Sequence, residues 1–418
     1  MHELVIFGVT GDLSRQKLIP ALFNLYKSSS IPKNTSFIGF GRKQFSKHEF
    51  QNFIAEILSS KKVSQDGMVS IEQFSSQWSY VESELNSESG YKKLSSLLKT
   101  QATCVYVSLP PLFQIGVSIM LTKTGILSKK NQRKIIFEKP YGEDSTSAKK
   151  LNEFLLKKIN ETQIYRVDHY AGKESLVNLQ KIHNLGLLQR VINSTQVSNV
   201  VIRFLESNNV SKRGAFYDSV GALSDVFQSH MLYMMAAILS QSCTEKSQGT
   251  IRRGNTSWDN SNDMYTEILK NFEVGKKVIG AQYSGYTKTE GVATDSTTET
   301  AFYIKGNISK KAKHHCHTLR GISVELIGGK GFKDTDVSIE LVFKDKKKGS
   351  VKFPMVSPGQ QDTSYEVVFM AAFNSNKERF PSYDFVLESW KLTEKIKKQL
   401  KGLKMTSYPL GTYPQDLF

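Results

Sequence analysis

The 418-residue sequence has few of the features that mark secreted or membrane proteins. It contains only three cysteines (Cys104, Cys243 and Cys316), too few to build a disulfide framework. Its longest apolar stretch, around residues 231–239, is too short to span a bilayer. The N-terminal residues lack the positive start and long apolar core of a secretory leader, so they predict a first strand. These absences predict a cytoplasmic protein without a membrane partner.

Internal repeats and low-complexity tracts are also missing, which excludes solenoid and fibrous classes. The net charge of +17 makes nucleic acid a partner to consider. The lysines are scattered, however, and few aromatic residues lie between them. A charged hairpin tip is predicted at Lys344, Lys346, Lys347 and Lys348. The solvated face of a helix is predicted at Lys391, Lys395, Lys397, Lys398, Lys401 and Lys404. We therefore predict no nucleic-acid partner, and a positive field that attracts anionic small substrates.

The hydrophobic pattern divides the chain near residue 170. Strands are predicted at 3–8, 37–40, 103–109, 133–137 and 163–167, with helices at 13–27, 46–58, 89–99, 114–124 and 144–160. This alternation is typical of an α/β fold and predicts a Rossmann-like parallel-sheet domain over residues 1–170. Beyond it, strands are predicted at 197–206, 277–286, 298–308, 321–327 and 337–343, with helices at 172–185, 218–239, 261–271 and 384–400. This half predicts a larger α+β domain with a mostly antiparallel sheet over residues 171–418.

A glycine-containing loop follows the first predicted strand and opens a helix. Its residues are Gly8, Val9, Thr10, Gly11, Asp12 and Leu13. Gly8 permits a sharp turn, and Gly11 allows a pyrophosphate to approach the backbone at a helix N-terminus. The loop lacks the full dinucleotide-binding fingerprint, so a generic strand–helix turn is the alternative. Arg42 follows the next strand, where an arginine suits NADP and a solvated arginine is the alternative.

The run Arg166–Glu174 contains a dense group of polar side chains. His169, Tyr170 and Lys173 can donate hydrogen bonds to an anion, whereas an ionised Asp168 can only accept them. Asp168 therefore suits the orientation of a catalytic histidine from elsewhere in the fold. The alternative is a structural polar turn.

The candidate histidine is His230, in the helix predicted over 218–239. An acidic partner such as Asp168 would make it a general base, and a partly buried structural histidine is the alternative. Asp225 lies five residues before it, about 500° away on an α-helix, so the two are not expected on one tight stripe, although one wall of a cleft could hold both. Lys17 and Lys139 are candidate ligands of an anion or ordinary solvated lysines.

Residues 314–317 read His-His-Cys-His, which are metal-binding side chains. Adjacent residues rarely share one tetrahedral ion, and no second cluster is evident in the sequence. We therefore predict a surface strand or loop there, and no metal site.

Taken in order, these motifs resemble glucose-6-phosphate dehydrogenases over nearly the whole chain. The resemblance rests on Gly8–Lys17, Gly39–Arg42, Tyr106–Pro111, Glu138–Gly142, Arg166–Glu174, Arg213–His230, Gly280–Tyr283, Ser296–Thr300, Gly328–Lys330, Glu388–Lys391 and Tyr408–Phe418. It implies oxidation of C1 of glucose 6-phosphate to the phosphogluconolactone, with hydride transfer to NADP or alternatively NAD. This reaction is the first step of the oxidative pentose phosphate pathway.

The resemblance also implies a role for each site residue. His230 would be the catalytic base, and Asp168 its carboxylate partner. The substrate-binding residues would be Lys17, Lys139, His169, Tyr170, Lys173, Glu206, Asp225 and Lys330. The cofactor-binding residues would be Gly8, Thr10, Gly11, Asp12, Leu13, Arg42, Pro110 and Lys139. A homodimer or homotetramer formed through the antiparallel sheet is expected.

Three residues depart from the family's pattern. Ser224 stands where an arginine commonly precedes the acid, Ser229 replaces the asparagine before the histidine, and Ile327 stands where arginine is frequent. The family's second basic residue, expected a little beyond Lys330, is not at its usual position, although Lys333 is near. The second domain is also shorter than is usual in the family. Two alternative hypotheses remain. The chain could be a dehydrogenase of another sugar, or a non-enzymatic protein that binds a cofactor or nucleic acid.

Overall fold

The computed structural model describes residues 2–60, 70–184, 188, 191–242, 258–312, 314–356 and 362–418. The chain forms two compact units. The first comprises Met1–Gly172 and Asp362–Tyr383, and the second Lys173–Gln361 and Asp384–Phe418. The first unit thus includes a segment from late in the chain, which the sequence pattern assigned to the second domain. No local sequence pattern predicts that the chain returns to the first unit, because this return depends on long-range packing.

The first unit contains a six-stranded parallel sheet. Its strands are β1 (Glu3–Phe7), β2 (Ser36–Gly41), β3 (Trp78–Glu82), β4 (Thr103–Val107), β5 (Lys134–Phe137) and β6 (Ile164–Arg166). Their order is β3-β2-β1-β4-β5-β6, and every pairing is parallel. All residues of β1 and β4 are buried, as expected for central strands covered on both faces. The predicted Rossmann-like sheet is confirmed, although the sequence pattern did not reveal β3.

Helices connect these strands. They are α1 (Ile19–Lys27), which continues a π-helical segment at Ser14–Leu18, α2 (Lys47–Ser60), α3 (Ile71–Ser76), α4 (Glu88–Leu97), α5 (Gln114–Lys123) and α6 (Ser145–Lys158). The start of α6 illustrates how the sequence sets these boundaries. The Asp144 carboxylate accepts the Ser147 N–H at 2.6 Å, and the Ser147 hydroxyl accepts the Asp144 N–H at 3.0 Å. Two N–H groups that have no partner within the helix are satisfied in this way.

The second unit contains a seven-stranded, mostly antiparallel sheet, as predicted. Its strands are β7 (Val197–Glu206), β8 (Phe272–Tyr283), β9 (Ala301–Ile308), β10 (Ser323–Lys330), β11 (Asp336–Phe343), β12 (Ser350–Pro354) and β13 (Thr406–Tyr408). Their order is β12-β11-β7-β10-β9-β8-β13. Only the β7–β10 and β8–β13 pairs are parallel. Lys346–Lys348 form a turn between β11 and β12, which confirms the charged hairpin tip.

The remaining helices are α7 (Glu174–Asn184), α8 (Gly214–Ala222), α9 (Leu232–Leu239), α10 (Trp258–Lys270), α11 (Ser364–Phe373), α12 (Tyr383–Leu400) and α13 (Pro414–Leu417). A π-helical segment, Leu223–Met231, joins α8 to α9. The single α-helix predicted over 218–239 is therefore wrong, because the backbone leaves helical geometry at Gly221 and continues with π-helical bonding. Every residue of α9 is buried, which explains its uniformly apolar sequence. Within the described ranges, no helix combines the length and hydrophobicity needed to cross a bilayer.

Helix α11 belongs to the first unit and packs against α1 and the short turn that follows β6. Asn24 donates to Glu366 at 2.8 Å, and Lys134 donates to the carbonyl of Ala372 at 2.5 Å. Phe369 and Tyr365 enter the core of this unit. The late segment therefore helps to build the sheet edge where ligands are expected.

The prediction of a surface strand or loop at residues 314–317 is wrong. His314–Leu319 form a 3-10 helix, in which Cys316 is buried and His317 is exposed. The side chains of residues 314 and 315 lie outside the described part of the chain. Cys316 and His317 differ in exposure because a helical turn sends successive side chains in different directions.

Candidate active site

The glycine loop forms a tight turn after β1. Gly8 has φ +76°, and its N–H donates to the carbonyl of Phe40 at 3.2 Å. A Cβ atom on this residue would lie 2.4 Å from the carbonyl oxygen of Ser108, so only glycine fits. The N–H of Gly11 donates to the Gly8 carbonyl at 2.9 Å and closes the turn. Gly11 and Asp12 are exposed, and Thr10 and Leu13 are half-buried, so the backbone is accessible to a phosphate group.

Two further predicted cofactor residues follow the strands on either side of β1. Arg42 comes directly after β2 and is exposed, and Pro110 is exposed beyond β4. The sheet order reverses between β1 and β4, and dinucleotides bind beyond the carboxyl ends of strands at such a point. The glycine turn at this edge fits the pyrophosphate of a dinucleotide.

Asp168 is buried in the turn that follows β6. The backbone N–H of Tyr170 donates to its Oδ1 at 2.9 Å, which explains the tight turn. Burial raises the pKa of Asp168, and the neighbouring His169, the Tyr170 N–H and the Lys139 ammonium oppose this rise. Lys139 is half-buried at the end of β5. The structure therefore brings Asp168 and Lys139 close enough to interact electrostatically.

The His169 ring stacks on Tyr365 of α11, with a centroid distance of 5.5 Å and an interplanar angle of 20°. The Tyr365 hydroxyl donates to Glu138 at 3.3 Å, and the Tyr106 hydroxyl donates to the same oxygen at 2.5 Å. Burial raises the pKa of Glu138, whereas the Tyr106 hydroxyl and Lys139 lower it. Tyr365, on which the His169 ring stacks, is thus anchored to Glu138, the residue directly after β5, and Glu138 is in turn bonded to Tyr106 of β4.

A buried guanidinium supports the end of β6, two residues before Asp168. Arg166 donates to Glu161 at 2.6 Å and to Asn152 at 2.6 Å, and it lies 4.9 Å from the centre of the Tyr141 ring. Its charge is satisfied within the first unit, so Arg166 is a structural member of the polar run. Lys377 joins the same network, with its Nζ 3.7 Å from Glu161.

Lys17 forms an ion pair with Asp362, with Nζ and Oδ2 3.0 Å apart. Asp362 also accepts the hydroxyl of Ser364 at 2.7 Å, at the start of α11. The Lys17 side chain remains about half exposed (47%), so it is accessible to a ligand while the pair fixes its direction.

The second unit brings three predicted substrate residues together. Lys330 and Glu206 are paired in the parallel register of β10 and β7, and Lys330 Nζ lies 2.5 Å from Glu206 Oε2. The same Nζ lies 3.8 Å from Asp225 Oδ2. Two acids around one ammonium form a compact polar cluster that can exchange hydrogen bonds with sugar hydroxyls.

The π-helical segment changes the expected relation between Asp225 and His230. A π-helix bonds residue i to residue i+5, so residues five apart follow one another after about one turn. The expectation that the two do not share one tight stripe assumed α-helical geometry, and the segment has π-helical bonding instead. His230 is buried, and its ring stacks on Phe204 of β7 at a centroid distance of 5.6 Å. Asp225 and His230 are thus placed about one turn apart on the same segment.

Two family models match the chain in succession. Residues 5–178 match the glucose-6-phosphate dehydrogenase NAD binding domain, and residues 180–361 match the C-terminal domain of the same family. The chain belongs to the glucose-6-phosphate dehydrogenase family.

Relatives of this family align over almost the whole chain. The glucose-6-phosphate 1-dehydrogenase of Borreliella burgdorferi is 29% identical, with 98% of this chain and 94% of the relative covered. That of Streptococcus pneumoniae is 26% identical, covering 99% and 94%. A solved glucose-6-phosphate dehydrogenase in complex with glucose-6-phosphate has a TM-score of 0.84 at 24% identity, covering 98% of this chain and 94% of that one. At this identity the structural match establishes the fold.

Sequence reasoning missed Tyr217 as a neighbour of the Lys330 cluster. Lys330 Nζ lies 5.6 Å from the centre of its ring, and the phenol is buried. Burial raises the pKa of Tyr217, and the negative charges of Asp225, Glu299 and Glu206 raise it further. Tyr217 lies within the run Arg213–His230, on which the family resemblance rests. Its closeness to Asp225 in the sequence was the signal that could have identified it as a site residue. Tyr365 was missed because no helix was predicted around it.

The residues that depart from the family's pattern occupy different environments. Ser224 and Ser229 are both buried in the π-helical segment, and Ile327 is buried in β10. The Ser224 hydroxyl accepts a hydrogen bond from Lys397 Nζ at 2.7 Å. Lys333 is exposed beyond β10.

The predicted catalytic pair draws one residue from each unit. Asp168 belongs to the first unit and His230 to the second, so their pairing stays a prediction. Lys173 is half-buried and is the first residue of the second unit, whereas His169 and Tyr170 belong to the first.

Proposed function

We propose that the chain is a glucose-6-phosphate 1-dehydrogenase, which oxidises C1 of glucose 6-phosphate to 6-phosphogluconolactone. The observation that carries this proposal is the ordered match of both family domains over residues 5–361. The reaction is the entry step of the oxidative pentose phosphate pathway. The cluster of Lys330, Glu206 and Asp225 supplies the polar contacts that a sugar requires.

In the proposed reaction, His230 takes the proton of the C1 hydroxyl as C1 loses a hydride. The products are a carbonyl at C1, an imidazolium on His230 and a reduced cofactor, so the two electrons and the proton balance. When bound, the nicotinamide cofactor supplies the hydride acceptor. Asp168 is the proposed partner that orients His230 and stabilises its positive charge. The stacking of His230 on Phe204 supports this role, because it restricts the imidazole to one orientation.

Substrate orientation is assigned to two groups of side chains. Glu206 and Asp225 accept hydrogen bonds from sugar hydroxyls, and Lys330 holds the two acids in position. The proposed contacts to the sugar phosphate are His169, Tyr170 and Lys173. The proposed contacts at the junction of sugar and cofactor are Lys17 and Lys139. A remote phosphate clamp fixes the distance between C1 and the base, so its binding energy can increase the rate.

The proposed cofactor is NADP, with NAD as a weaker acceptor. The glycine turn with Gly8, Thr10, Gly11, Asp12 and Leu13 supports pyrophosphate binding. Exposed Arg42, after β2, supports recognition of the 2′-phosphate, because a guanidinium binds phosphate oxygens in a bidentate way. Pro110 is a further proposed contact to the cofactor, and Lys139 is the proposed contact at the junction of sugar and cofactor.

One assay tests the proposal directly. The purified chain is mixed with glucose 6-phosphate and either NADP or NAD, and reduced nicotinamide is followed by absorbance. We expect turnover with both the sugar phosphate and NADP present, and much less with glucose alone. A chain that reduces no cofactor with glucose 6-phosphate would contradict the proposal.

The phosphate clamp has its own test in Lys173→Ala. We expect the KM for glucose 6-phosphate to rise by roughly tenfold or more, because a charge-assisted hydrogen bond to phosphate is lost. The kcat value should change less. An unchanged KM would remove Lys173 from the clamp.

Assembly and location belong to the same proposal. A homodimer or homotetramer formed through the antiparallel sheet is supported by the family resemblance, and a cytoplasmic location by the small number of cysteines. Analytical ultracentrifugation would measure the assembly, and cell fractionation the location. A monomer at micromolar concentration would contradict the first expectation.

A further inference from the structure

The π-helical segment that carries Asp225 and His230 begins at a turn with strict geometric requirements. Gly221 has φ +71° and ψ 169°, which lies outside helical geometry. A Cβ atom at this position would lie 2.4 Å from Oε1 of Glu299. Glycine therefore allows both the backbone conformation and the close approach of a carboxylate.

Glu299 fixes the residues directly after this turn. Its Oε1 accepts the N–H of Leu223 at 3.0 Å, and its backbone carbonyl accepts the N–H of Ala222 at 3.0 Å. The first N–H groups of a helix have no partner within it, so these bonds satisfy donors that would otherwise be unpaired. Burial raises the pKa of Glu299, and the Leu223 N–H and the Lys397 ammonium oppose this rise.

Lys397 contacts the turn from α12. Its Nζ donates to the hydroxyl of Ser224 at 2.7 Å and to the carbonyl of Val220 at 3.3 Å. These two acceptors lie on either side of Gly221. One ammonium group therefore ties together the residue before the turn and the residue that immediately precedes Asp225.

The contact has more influence on position than on overall stability. Lys397 is exposed, whereas Ser224 and Glu299 are buried. Water screens exposed charges, so such contacts typically contribute little to the free energy of unfolding. A displacement of about 1 Å in a catalytic group can nevertheless lower the rate roughly a hundredfold.

We propose that Lys397 is a positioning residue for the dehydrogenase reaction. By holding Val220 and Ser224 across the Gly221 turn, it sets the positions from which Asp225 and His230 act. The inference rests on the proposed function. The sequence pattern had assigned Lys397 only to a solvated face.

Steady-state kinetics with glucose 6-phosphate and NADP test this role on the full chain. In Lys397→Met we expect the KM for the sugar phosphate to rise about three- to tenfold and kcat to fall by a smaller factor, because Asp225 is displaced. Lys397→Arg should stay within about twofold of the wild type, since it keeps the charge. Lys398→Met is the matched control, because it removes the neighbouring exposed lysine of α12.

Thermal melting separates positioning from a general structural effect. We expect the melting temperatures of all variants to stay within a few degrees of the wild type, so that the change in KM is not caused by unfolding. Lys397→Met kinetics equal to those of Lys398→Met would overturn the inference, as would an inactive Lys397→Arg. If Lys397→Met does not fold, Ser224→Ala removes the acceptor alone and should raise KM, and an unchanged KM overturns the inference. A wild-type chain without turnover would instead refute the proposed function.

Discussion

The two units assemble their polar clusters in different ways. In the first unit, consecutive residues at the end of one strand form the cluster, and backbone groups hold it, as when the Tyr170 N–H binds Asp168. In the second unit, Glu206, Asp225 and Lys330 come from two strands and a helical segment, and side-chain ion pairs hold them. The first arrangement depends on local backbone geometry. The second depends on strand register and on the helical period.

This difference determines how each cluster responds to substitution. Sites held by the backbone, which in the first unit include the glycine turn after β1, are sensitive to residues that set the turn, such as Gly8. A cluster held by ion pairs is sensitive to the loss of one partner, because the remaining buried or half-buried charges then lack compensation. The following experiments, from the largest expected effect to the smallest, compare these two sensitivities.

The largest effect is expected for His230→Asn. The loss of a general base typically lowers kcat by about 10²–10⁴-fold, while asparagine preserves much of the side-chain volume. Calorimetry should still detect glucose 6-phosphate binding, since the acids and the phosphate contacts remain. His317→Asn, at an exposed histidine of the same unit, is the control and should behave like the wild type. Near-normal turnover in His230→Asn would refute the proposed base.

Lys330→Met should rank next, with kcat/KM reduced by about a hundredfold. Removal of this ammonium leaves Glu206 and Asp225 as two uncompensated acids, which costs several kcal/mol when such groups are partly buried. Lys305→Met is a matched control, because Lys305 also pairs with a glutamate of an adjacent strand, at 2.9 Å from Glu325, but is exposed. Equal losses in both variants would show that the cluster has no special role.

Gly8→Ala tests the backbone-held site of the first unit. Alanine in the left-handed region costs about 1–2 kcal/mol, and the clash with Ser108 adds to this. We expect a lower melting temperature and weaker NADP binding in a fluorescence titration. Gly116→Ala, at an exposed position of α5 where a Cβ meets no atom within 4 Å, should be neutral or stabilising. NADP binding that is equally strong in both variants would contradict the phosphate-loop assignment.

Arg42→Met should change cofactor preference more than overall activity. We expect the KM for NADP to rise about 10- to 100-fold while the KM for NAD changes little, because only NADP carries the 2′-phosphate. The readout is the ratio of kcat/KM values for the two cofactors. Lys43→Met removes a neighbouring exposed charge and serves as the control. If both variants lower the ratio equally, the effect comes from the general positive field.

The smallest effect concerns the pH dependence of stability. Burial alone would raise the pKa of Glu161, but Arg166 and Lys377 outweigh it, so the pKa lies below its ordinary value. A lowered pKa stabilises the fold above the ordinary value, and this contribution disappears as the pH falls through the folded-state value. The difference in unfolding free energy between wild type and Glu161→Gln should therefore shrink below about pH 4. Glu153→Gln, in an exposed pair with Lys149, should show almost no difference at any pH.

The sequence predicted the first unit in more detail than the second. Alternating apolar runs and helical spacing identified five of its six strands, because parallel strands that are buried on both faces are rich in apolar residues. The edge strand β3 is only partly buried and has no such signal. In the second unit, the main strands were recognised, but the break at Gly221 and the π-helical segment were not, since both depend on packing against Glu299 and on Lys397 from α12.

By itself, the sequence determined the two sheet types, the glycine turn and the identity of the polar side chains, because these follow from local patterns of hydrophobicity and residue chemistry. The tertiary structure alone decided that Lys330 lies between Glu206 and Asp225, and that Tyr365 of the returning segment stacks on His169. Those residues are separated by up to about two hundred positions in the chain. Their proximity results from strand register and core packing, which no short window of sequence encodes.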